Sequence, residues 1–460
     1  MTTTAPTGHE RPMVVVYEAG AVSPQEIAVG LAGLGPLTFL VGESQHVRRV
    51  RPALERLGTV MQWSTDPDED ARRIRAMRPA AVITFSELAL SRTALVAAAA
   101  GVTGHAPEMV DLLTDKVRQR ARLRAAGVDD TPAWPVRAPT DWADAIAHVG
   151  LPAVVKPARG GGSRDTFLVR EAGEGERLLA GLLARADQGS GPPAYVVESY
   201  LQGAPGAALG DYVSVESLCA AGDVRHFAVT GKLPLLPPFR EAGQFWPAAL
   251  TAEERVAVLD LTTRALLALE VRAGLAHTEI KLTASGPRII EVNGRLGGHV
   301  NWLSKDSVGV DLVRMAGLAA LGRLDDDQVP VPSSVFFQKH ALAPTAPCRL
   351  LSVRGAREAR RLPGVRGHRT LVALGEPLPG GVGTTELDLL WGRCEAPDEL
   401  PAAIATVNRA LTYELDIGGR ALCMTGAELE RWEPSAGGAC ETAQDDDELA
   451  ALTTRSAIDA

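Results

Sequence analysis

Two short segments, His277-Thr278-Glu279-Ile280-Lys281 and Ile290-Glu291-Val292-Asn293-Gly294-Arg295, decide the fold of this 460-residue chain. Apolar and polar residues alternate along both segments, which is the pattern of a half-buried β-strand. The stretch between them, Ser285-Gly286-Pro287, is typical of a hairpin turn. The sequence therefore predicts two antiparallel strands, Ala276–Leu282 and Arg288–Val292.

Oxygen-bearing side chains collect on this hairpin. Alternate residues of a strand share a face, so Glu291 and Asn293 point together, and Glu279 lies on the neighbouring strand. Two carboxylates and an amide on one sheet face are unfavourable unless a cation is bound, and such oxygen ligands suit Mg²⁺ with phosphate completing its shell. A surface hairpin with solvated charges explains the same spacing, so the hairpin alone leaves both interpretations open.

A glycine-rich loop follows an apolar strand upstream. The predicted strand Leu151–Lys156 ends in Lys-Pro, and Gly160-Gly161-Gly162-Ser163 comes shortly after it. Backbone N–H groups of such a loop close over phosphates, and the Lys156 ammonium offsets their charge. Glycine-rich turns are also common connectors, and the loop is a weak signal by itself.

Lysine is rare in this chain. Of 47 basic residues only six are lysine, and the rest are arginine. Where arginine carries most of the positive charge, each remaining ammonium suggests a task that a planar guanidinium does not perform. The surrounding motifs argue for a function at three of them, Lys116, Lys156 and Lys281. Chance explains the other three equally well.

Two further predicted strands are associated with carboxylates. Tyr195–Leu201 contains Glu198, and Asp211 directly precedes Tyr212–Cys219. An extended segment with free backbone groups pairs with an adenine edge, and a later carboxylate binds ribose hydroxyls. Taken singly, each segment is better explained as an ordinary strand.

Together, the order and spacing of these motifs resemble the ATP-grasp superfamily. The resemblance runs from about residue 81 to 298, and more loosely to 424. It is closest to the carboxylate–amine ligases that include the bacterial L-amino acid ligases of the bacilysin-synthetase type. Three segments resemble that branch, His277–Leu282, Glu291–Gly298 and Pro237–Gly243, and those ligases place the last of these near the substrate.

The resemblance implies a nucleotide site. Lys116 and Lys156 would hold the α- and β-phosphates of ATP. The other implied nucleotide contacts are the lid residues Gly161, Gly162 and Ser163, the adenine contacts Glu198, Ser199 and Leu201, and the ribose contact Asp211. The segment 204–210 before Asp211 is longer than the turn usual in the family.

The resemblance also implies Mg²⁺ as a cofactor. Two ions are expected, and Mn²⁺ is an alternative ion. Glu279 and Glu291 would bind one ion, and Glu291 would share a second with Asn293. Arg295 would steady the transferred phosphoryl group, and Lys281 would make the same end of the pocket cationic. The implied substrate contacts are Glu241, His277, Gly298 and His299, and relatives often have an acidic residue in place of His299.

The reaction implied is ATP-dependent ligation of a carboxylate to an amine through an acyl phosphate, with release of ADP and phosphate. The substrates would be small amino acids or related acids, joined by a dipeptide-like amide. One alternative is a biotin-carboxylase-like enzyme, although no lysine has the flanking methionines of a biotinylated segment. The other is a non-catalytic ATP-grasp binding protein, which is expected to have lost the metal ligands that this sequence retains.

The composition of the chain limits the partners and the cellular location that we expect for it. A net charge of −9 disfavours a nucleic-acid partner. No run of eighteen apolar residues predicts a membrane span, and Met1–Pro12 lacks the apolar core of a secretory signal. The five scattered cysteines lack CxxC spacing and suit reduced thiols, so we expect a cytoplasmic protein. The sequence leaves a homodimer open as its assembly.

The alternation of strands and helices predicts an α/β and α+β multidomain architecture. Residues 1–110 would form an open parallel α/β domain, with strands Met13–Tyr17 and Ala81–Phe85 and a helix Asp68–Met77. That domain lacks a GxGxxG turn, so a dinucleotide site is not expected there. The remaining predicted units are an ATP-grasp domain at 111–330 with a mobile lid at about 151–203, a C-terminal α+β domain at 331–430 with a helix near Ala402–Leu415, and a disordered tail at 431–460.

Overall fold

The computed structural model describes residues 11–186, 195–204, 208–220, 222–324 and 329–433. The predicted tail beyond residue 433, most of Met1–Pro12 and part of the 204–210 segment lie outside the described residues. The strands are β1 (Met13–Tyr17), β2 (Leu37–Val41), β3 (Thr59–Gln62), β4 (Ala81–Ile83), β5 (Ala133–Val136), β6 (Ala153–Pro157), β7 (Phe167–Val169), β8 (Tyr195–Ser199), β9 (Tyr212–Ala220), β10 (Asp223–Lys232), β11 (Gly243–Trp246), β12 (Gly274–Thr283), β13 (Gly286–Asn293), β14 (Val335–Lys339), β15 (Cys348–Arg354), β16 (Val365–Thr370), β17 (Pro377–Leu378), β18 (Asp388–Cys394), β19 (Thr412–Ile417) and β20 (Arg420–Thr425). The helices are α1 (Pro24–Gly30), α2 (Gln45–Leu57), α3 (Pro67–Met77), α4 (Leu90–Ala100), α5 (Val110–Thr114), α6 (Lys116–Ala125), α7 (Trp142–Val149), α8 (Ala172–Ala186), α9 (Ala252–Ala268), α10 (Val300–Val308), α11 (Leu312–Ala320), α12 (Ala356–Ala359), α13 (Leu400–Ala410) and α14 (Gly426–Glu430).

The N-terminal part is an open α/β layer, as the sequence predicted. Strands β3-β2-β1-β4 form a parallel sheet in that order. All five residues of β1 are buried, because helices cover both faces of a parallel sheet. The carboxyl end of β1 leads into Ala19 and Gly20, which line the cavity described below.

The central sheet carries the hairpin that the sequence predicted. Its eight strands run in the order β13-β12-β9-β10-β11-β14-β18-β16. Strands β12 and β13 pair antiparallel, with Thr283 opposite Gly286 and Leu282 opposite Pro287. The turn is therefore made by Ala284 and Ser285, and Gly286 and Pro287 already belong to β13.

A smaller, separate sheet precedes the central one along the chain. Strands β5-β8-β6-β7 form it, and α7 and α8 cover it with an apolar core that includes Trp142, Leu179 and Val197. This unit begins at Ala133, earlier than the lid boundary predicted near residue 151. The difference arises because β5 pairs with β8, a partner distant in sequence that no local pattern reveals.

The C-terminal part contributes to two sheets. Strands β14, β16 and β18 extend the central sheet across the boundary predicted at residue 330, while β17-β15-β19-β20 form a separate sheet. The helix expected near Ala402–Leu415 ends at Ala410. The residues that follow form β19, because Tyr413 and Leu415 are buried at alternate positions, which is the period of a strand. Among the described residues, we find no helix long and apolar enough to span a membrane.

Candidate active site

One cavity of about 670 Å³ lies where the N-terminal loops, the small sheet, the central sheet and the C-terminal part meet. Every site residue predicted from the sequence lines this cavity except Asp211. The cavity-lining members of that set are Lys116, Lys156, Gly161, Gly162, Ser163, Glu198, Ser199, Leu201, Glu241, His277, Glu279, Lys281, Glu291, Asn293, Arg295, Gly298 and His299. Residues that are far apart in the chain are thus brought to one place.

The hairpin supplies the oxygen donors. Glu279 pairs with Glu291 across β12 and β13, and His277 pairs with Asn293. A bulge directly after Glu279 shifts the register of the two strands. The buried Lys116 lies 2.8 Å from a carboxylate oxygen of Glu291, which is partly buried. The donors are two carboxylates and an amide oxygen, without sulfur. Such a set fits a hard ion such as Mg²⁺.

His277 joins two carboxylates. Its Nδ1 hydrogen-bonds to Glu216, and its Nε2 lies 3.3 Å from a Glu279 oxygen. Burial disfavours the charged ring, but the charge and hydrogen bond of Glu216 raise the pKa of His277 to about 9. Burial likewise opposes ionisation of Glu279, yet the hydrogen bond from His277 lowers the pKa of that carboxyl to about 2. A protonated His277 donates to both carboxylates and holds the carboxylate of Glu279 in place.

The loop after β13 packs tightly against this pair. Gly297 donates its N–H to Glu216 at 3.0 Å. A Cβ atom at Gly297 would lie 2.6 Å from Nδ1 of His277 and 2.8 Å from a Glu216 oxygen, closer than real Cβ contacts. Glycine is therefore required here by close approach, and Glu216 was missed because its strand carries no motif.

Glu198 lies between two cations. Arg120 donates to both of its carboxylate oxygens, at 3.0 and 2.9 Å, and Lys156 lies 2.9 Å from one of them. Burial opposes ionisation, but these cations lower the pKa of Glu198 to about 2. Arg120 also donates to the carbonyls of Ile289 and Ile290, so it connects the small sheet to the hairpin. Helical spacing places Arg120 on the same face of α6 as Lys116, which is the signal that could have found it.

The glycine-rich loop is held at both ends. Lys116 donates to the carbonyl of Gly160 at 2.6 Å, and Thr384 of the C-terminal part donates its N–H to the carbonyl of Gly162 at 2.9 Å. Gly160 and Gly162 have φ of 106° and 69°, which glycine adopts readily.

Asp211, whose ribose role the sequence suggested, instead pairs with Lys281 at 2.5 Å.

Arg295 reaches a group that the sequence did not indicate. Its Nε lies 3.6 Å from a carboxylate oxygen of Glu87, which comes from the N-terminal part. Burial raises the pKa of Glu87 to about 7, although the Arg295 charge opposes this. Among the described residues, neither carboxylate oxygen of Glu87 has a hydrogen-bond partner. Glu87 therefore lines the cavity with buried carboxylate oxygens whose nearest charged partner is Arg295.

Strand β10 contributes another cationic group to the cavity. Lys232 lies 3.4 Å from Glu241 and 3.3 Å from the side-chain oxygen of Gln244. Gln244 in turn donates to the carbonyl of Gly298 at 2.8 Å. Lys232 lines the cavity and is 3% exposed, so this lysine belongs to the site although the sequence left it to chance.

His299 lies in a cluster of polar side chains that also line the cavity. Its Nε2 lies 2.8 Å from one Glu386 oxygen, and Nε2 of His340 lies 3.6 Å from the other. The cluster was not predicted, since His340 and Glu386 come from the C-terminal part. With the hairpin, the ammonium groups and the glycine-rich loop, the cavity combines phosphate-binding and cation-binding groups in one place.

The chain has the ATP-grasp fold, and its cavity combines the phosphate-binding and cation-binding groups described above. A crystal structure of L-amino acid ligase from Bacillus licheniformis superposes with a TM-score of 0.73 at 20% identity, over 88% of this chain and 99% of that one. The biotin carboxylase domain of Hydrogenobacter thermophilus 2-oxoglutarate carboxylase, solved with MgADP and bicarbonate, gives a TM-score of 0.63 at 15% identity, over 92% and 99%. These likenesses confirm the predicted fold class.

Sequence relatives include ligases. Alanine–anticapsin ligase of Bacillus subtilis is 25% identical over 230 residues, 47% of this chain and 48% of that protein. Carnosine synthase 1 of Gallus gallus is 28% identical over 326 residues, 65% and 32%. The uncharacterized protein y4rH of Sinorhizobium fredii is 34% identical over 201 residues, 43% and 39%. The matches thus span less than half the length of each of these relatives, and no family model matches the chain.

Proposed function

We propose that this protein is an ATP-dependent carboxylate–amine ligase that activates an amino acid or related acid as an acyl phosphate. The observation that carries this proposal is the pairing of Glu279 with Glu291 inside the same cavity as Lys116, Lys156 and the glycine-rich loop. Phosphoryl transfer requires alignment and charge stabilisation rather than covalent help from the protein, and this cavity offers both. Similarity to alanine–anticapsin ligase and L-amino acid ligase supports the same reaction class.

The reaction has two steps. A substrate carboxylate oxygen attacks the γ-phosphorus of ATP, so that a new phosphorus–oxygen bond forms, the bond to the β-phosphate oxygen breaks, and ADP leaves. An amine nitrogen then attacks the acyl carbon, so that a carbon–nitrogen bond forms, the acyl phosphate carbon–oxygen bond breaks, and phosphate leaves. The amine loses a proton to phosphate or solvent.

The chain's own groups divide this work. Lys116 and Lys156 would offset the charge of the α- and β-phosphates, beneath the loop Gly161–Ser163. Arg295 would steady the transferred phosphoryl group, and Lys281 would add positive charge at the same end. Glu279 and Glu291 would bind one Mg²⁺, and Glu291 and Asn293 a second, which together would offset repulsion between the substrate carboxylate and ATP. Mn²⁺ would substitute at the same oxygen ligands.

The remaining residues of the proposed nucleotide site would contact adenine and ribose. Ser199 and Leu201 would offer backbone groups to the adenine ring. Glu198 would act near the adenine amino group, and its pairing with Arg120 and Lys156 keeps it ionised. Asp211 remains our proposal for a ribose contact, which requires its ion pair with Lys281 to rearrange.

The amino-acid pocket would lie between the hairpin and the C-terminal part. Glu241, His277, Gly298 and His299 line that part of the cavity. Glu241 would pair with a substrate ammonium group, in place of its 3.4 Å contact to Lys232. Substitution Glu241→Ala should then raise KM for the amino acid more than KM for ATP.

A paired-substrate assay tests the proposal. Amino acids and small acids are offered in pairs with ATP and Mg²⁺, and products are identified by mass spectrometry and nucleotide analysis. The expected result is an amide one water lighter than its two reactants, together with equal ADP and phosphate. AMP and pyrophosphate as the products would contradict it, and bicarbonate-dependent ATP hydrolysis with free biotin would instead support a carboxylase.

A further inference from the structure

We propose that His299, His340 and Glu386 form a binding site for a divalent transition-metal ion, distinct from the oxygen ligands of the hairpin. His299 precedes α10, His340 follows β14, and Glu386 precedes β18. All three line the cavity, and one donor atom from each lies within 4.8 Å of the others. The inference is independent of the ligase reaction, because it concerns binding alone.

The hydrogen bonds of His340 determine which ring nitrogen is free. Its Nδ1 lies 3.1 Å from the carbonyl oxygen of Asp388, and since a carbonyl only accepts, Nδ1 carries a proton. In the neutral ring Nε2 then presents a lone pair, and it faces a Glu386 oxygen at 3.6 Å. His340 is 4% exposed. These two acceptors face each other in the wall of the cavity, an arrangement that a cation between them would stabilise.

The donor set favours a metal ion as that cation. Two imidazoles and one carboxylate are typical ligands of zinc and related divalent ions. Zinc binds such atoms at about 2.0–2.1 Å, so a tetrahedral site holds its ligands roughly 3.3 Å apart. One Glu386 oxygen lies 2.8 Å from Nε2 of His299, and the other lies 3.6 Å from Nε2 of His340. Binding would bring the three ligand atoms, which lie within 4.8 Å of one another, to the separation that the ion requires.

The surrounding contacts resemble those of metal ligands. A metal-bound imidazole commonly donates its other N–H to a backbone carbonyl, as His340 does to Asp388. That arrangement fixes the ring and aims Nε2 at the proposed ion. The backbone of His340 is also held, because its N–H donates to the carbonyl of Ala242 at 2.8 Å.

The backbone of His299 is unusual in a way that suits a ligand. It has φ of 58°, a left-handed conformation that costs a non-glycine residue about 1–2 kcal/mol. Gln338 donates to its carbonyl at 3.2 Å and helps to hold this conformation, which places the ring beside Glu386. The His299 side chain is 26% exposed, so the ion would retain an open position toward the cavity.

Cobalt titration tests this site. Nucleotide-free full-length protein, stripped of metal and held in excess Mg²⁺, is titrated with Co²⁺, whose visible absorption reports nitrogen-ligated, four- or five-coordinate binding. We expect saturation at one equivalent and displacement of the signal by Zn²⁺. His340→Gln should weaken Co²⁺ binding by at least about tenfold. His299→Gln should do the same, which guards against a folding defect in the more buried His340 variant.

Two control variants separate this site from others. Glu291→Gln removes a ligand of the hairpin, and His148→Gln changes an exposed histidine on α7, so both should retain the Co²⁺ signal. Equal Co²⁺ affinity in the wild type and both folded cluster variants would overturn the proposal. Absence of any visible Co²⁺ band would also overturn it, and would leave the cluster as a hydrogen-bonding wall for a substrate amine.

Discussion

Glu279 lies directly opposite Glu291 in the antiparallel pair β12 and β13, and each carboxylate is accompanied by its own cationic side chain. Glu291 pairs with Lys116 at 2.8 Å, and Glu279 lies 3.3 Å from Nε2 of His277. Without these partners, two carboxylates on adjacent strands would repel each other. The two cationic side chains therefore offset the repulsion between the carboxylates, and bound Mg²⁺ would offset it further.

This relationship predicts the effect of Glu291→Gln. The amide retains the shape of the side chain but removes the negative charge that two ions would share. We expect kcat to fall by at least about a hundredfold, comparable to the loss of a key electrostatic stabiliser. Steady-state ADP release, measured beside the thermal midpoint of the same protein, checks this.

The matched control is Glu253→Gln, an exposed carboxylate on α9. It should leave both activity and thermal midpoint near those of the wild type. A folded Glu291→Gln protein with near-normal turnover would show that the hairpin carboxylates do not hold the catalytic ions.

The lysines give a second prediction. Four of the six line the cavity, Lys116, Lys156, Lys232 and Lys281, while Lys339 is buried against Glu430. Lys305 is the more exposed one, with a side chain 37% exposed and an ion pair to Asp311. The sequence singled out three of these four lysines, Lys116, Lys156 and Lys281, and left Lys232 to chance.

Lys156→Arg should weaken ATP binding by about tenfold or more, the equivalent of about 1.4 kcal/mol. The guanidinium keeps the charge but is too large for the space beside Glu198, where the lysine is buried. Lys305→Arg is the matched control, and it should leave nucleotide affinity unchanged. Calorimetric titration with a non-hydrolysable ATP analogue measures both, and equal affinities would refute the inference from lysine usage.

Local patterns determined what the sequence could predict. The alternation along β12 and β13 and the loop at Gly160–Ser163 are short-range signals, and the sequence located both. Glu87 and Glu386 reach the site through packing between distant parts of the chain. No periodicity or spacing encodes such contacts, and a strand extending the central sheet from beyond residue 330 was missed for the same reason.

Gly297 provides a third prediction, on positioning rather than chemistry. The Cβ of Gly297→Ala would press on His277 and Glu216, which hold Glu279 in place. We expect kcat to fall and stability to drop by about 1–3 kcal/mol, the usual cost of overpacking. Denaturant unfolding and turnover are the measurements.

Its steric control is Gly181→Ala in the middle of α8, where an added Cβ meets nothing within 4 Å. Alanine is the better helix former, so this variant should be at least as stable as the wild type. If Gly297→Ala were as stable and active as Gly181→Ala, the close approach of this loop to His277 would be irrelevant to function.

The last prediction concerns acid stability and Asp129, which lies behind the hairpin. Asp129 accepts hydrogen bonds from Arg288 at 3.1 Å and from the backbone N–H groups of Thr131 and Ile289 at 2.9 and 3.0 Å. Burial opposes ionisation, but the hydrogen bond from Arg288 lowers the pKa of Asp129 to about 2. An unfolded aspartate titrates near 3.9, so the unfolded chain binds the proton first as the pH falls. The stabilisation is complete above about pH 5 and is lost as the pH falls toward 2, which amounts to roughly 1 kcal/mol between pH 6 and pH 3.

In urea denaturation at these two pH values, Asp129→Asn should be less stable than the wild type at pH 6 and should lose about 1 kcal/mol less on acidification. Asp130→Asn, at an exposed neighbour that also contacts Arg288, should keep the wild-type dependence on pH. Parallel losses in the wild type and Asp129→Asn would show that another carboxylate governs the acid limit of this fold.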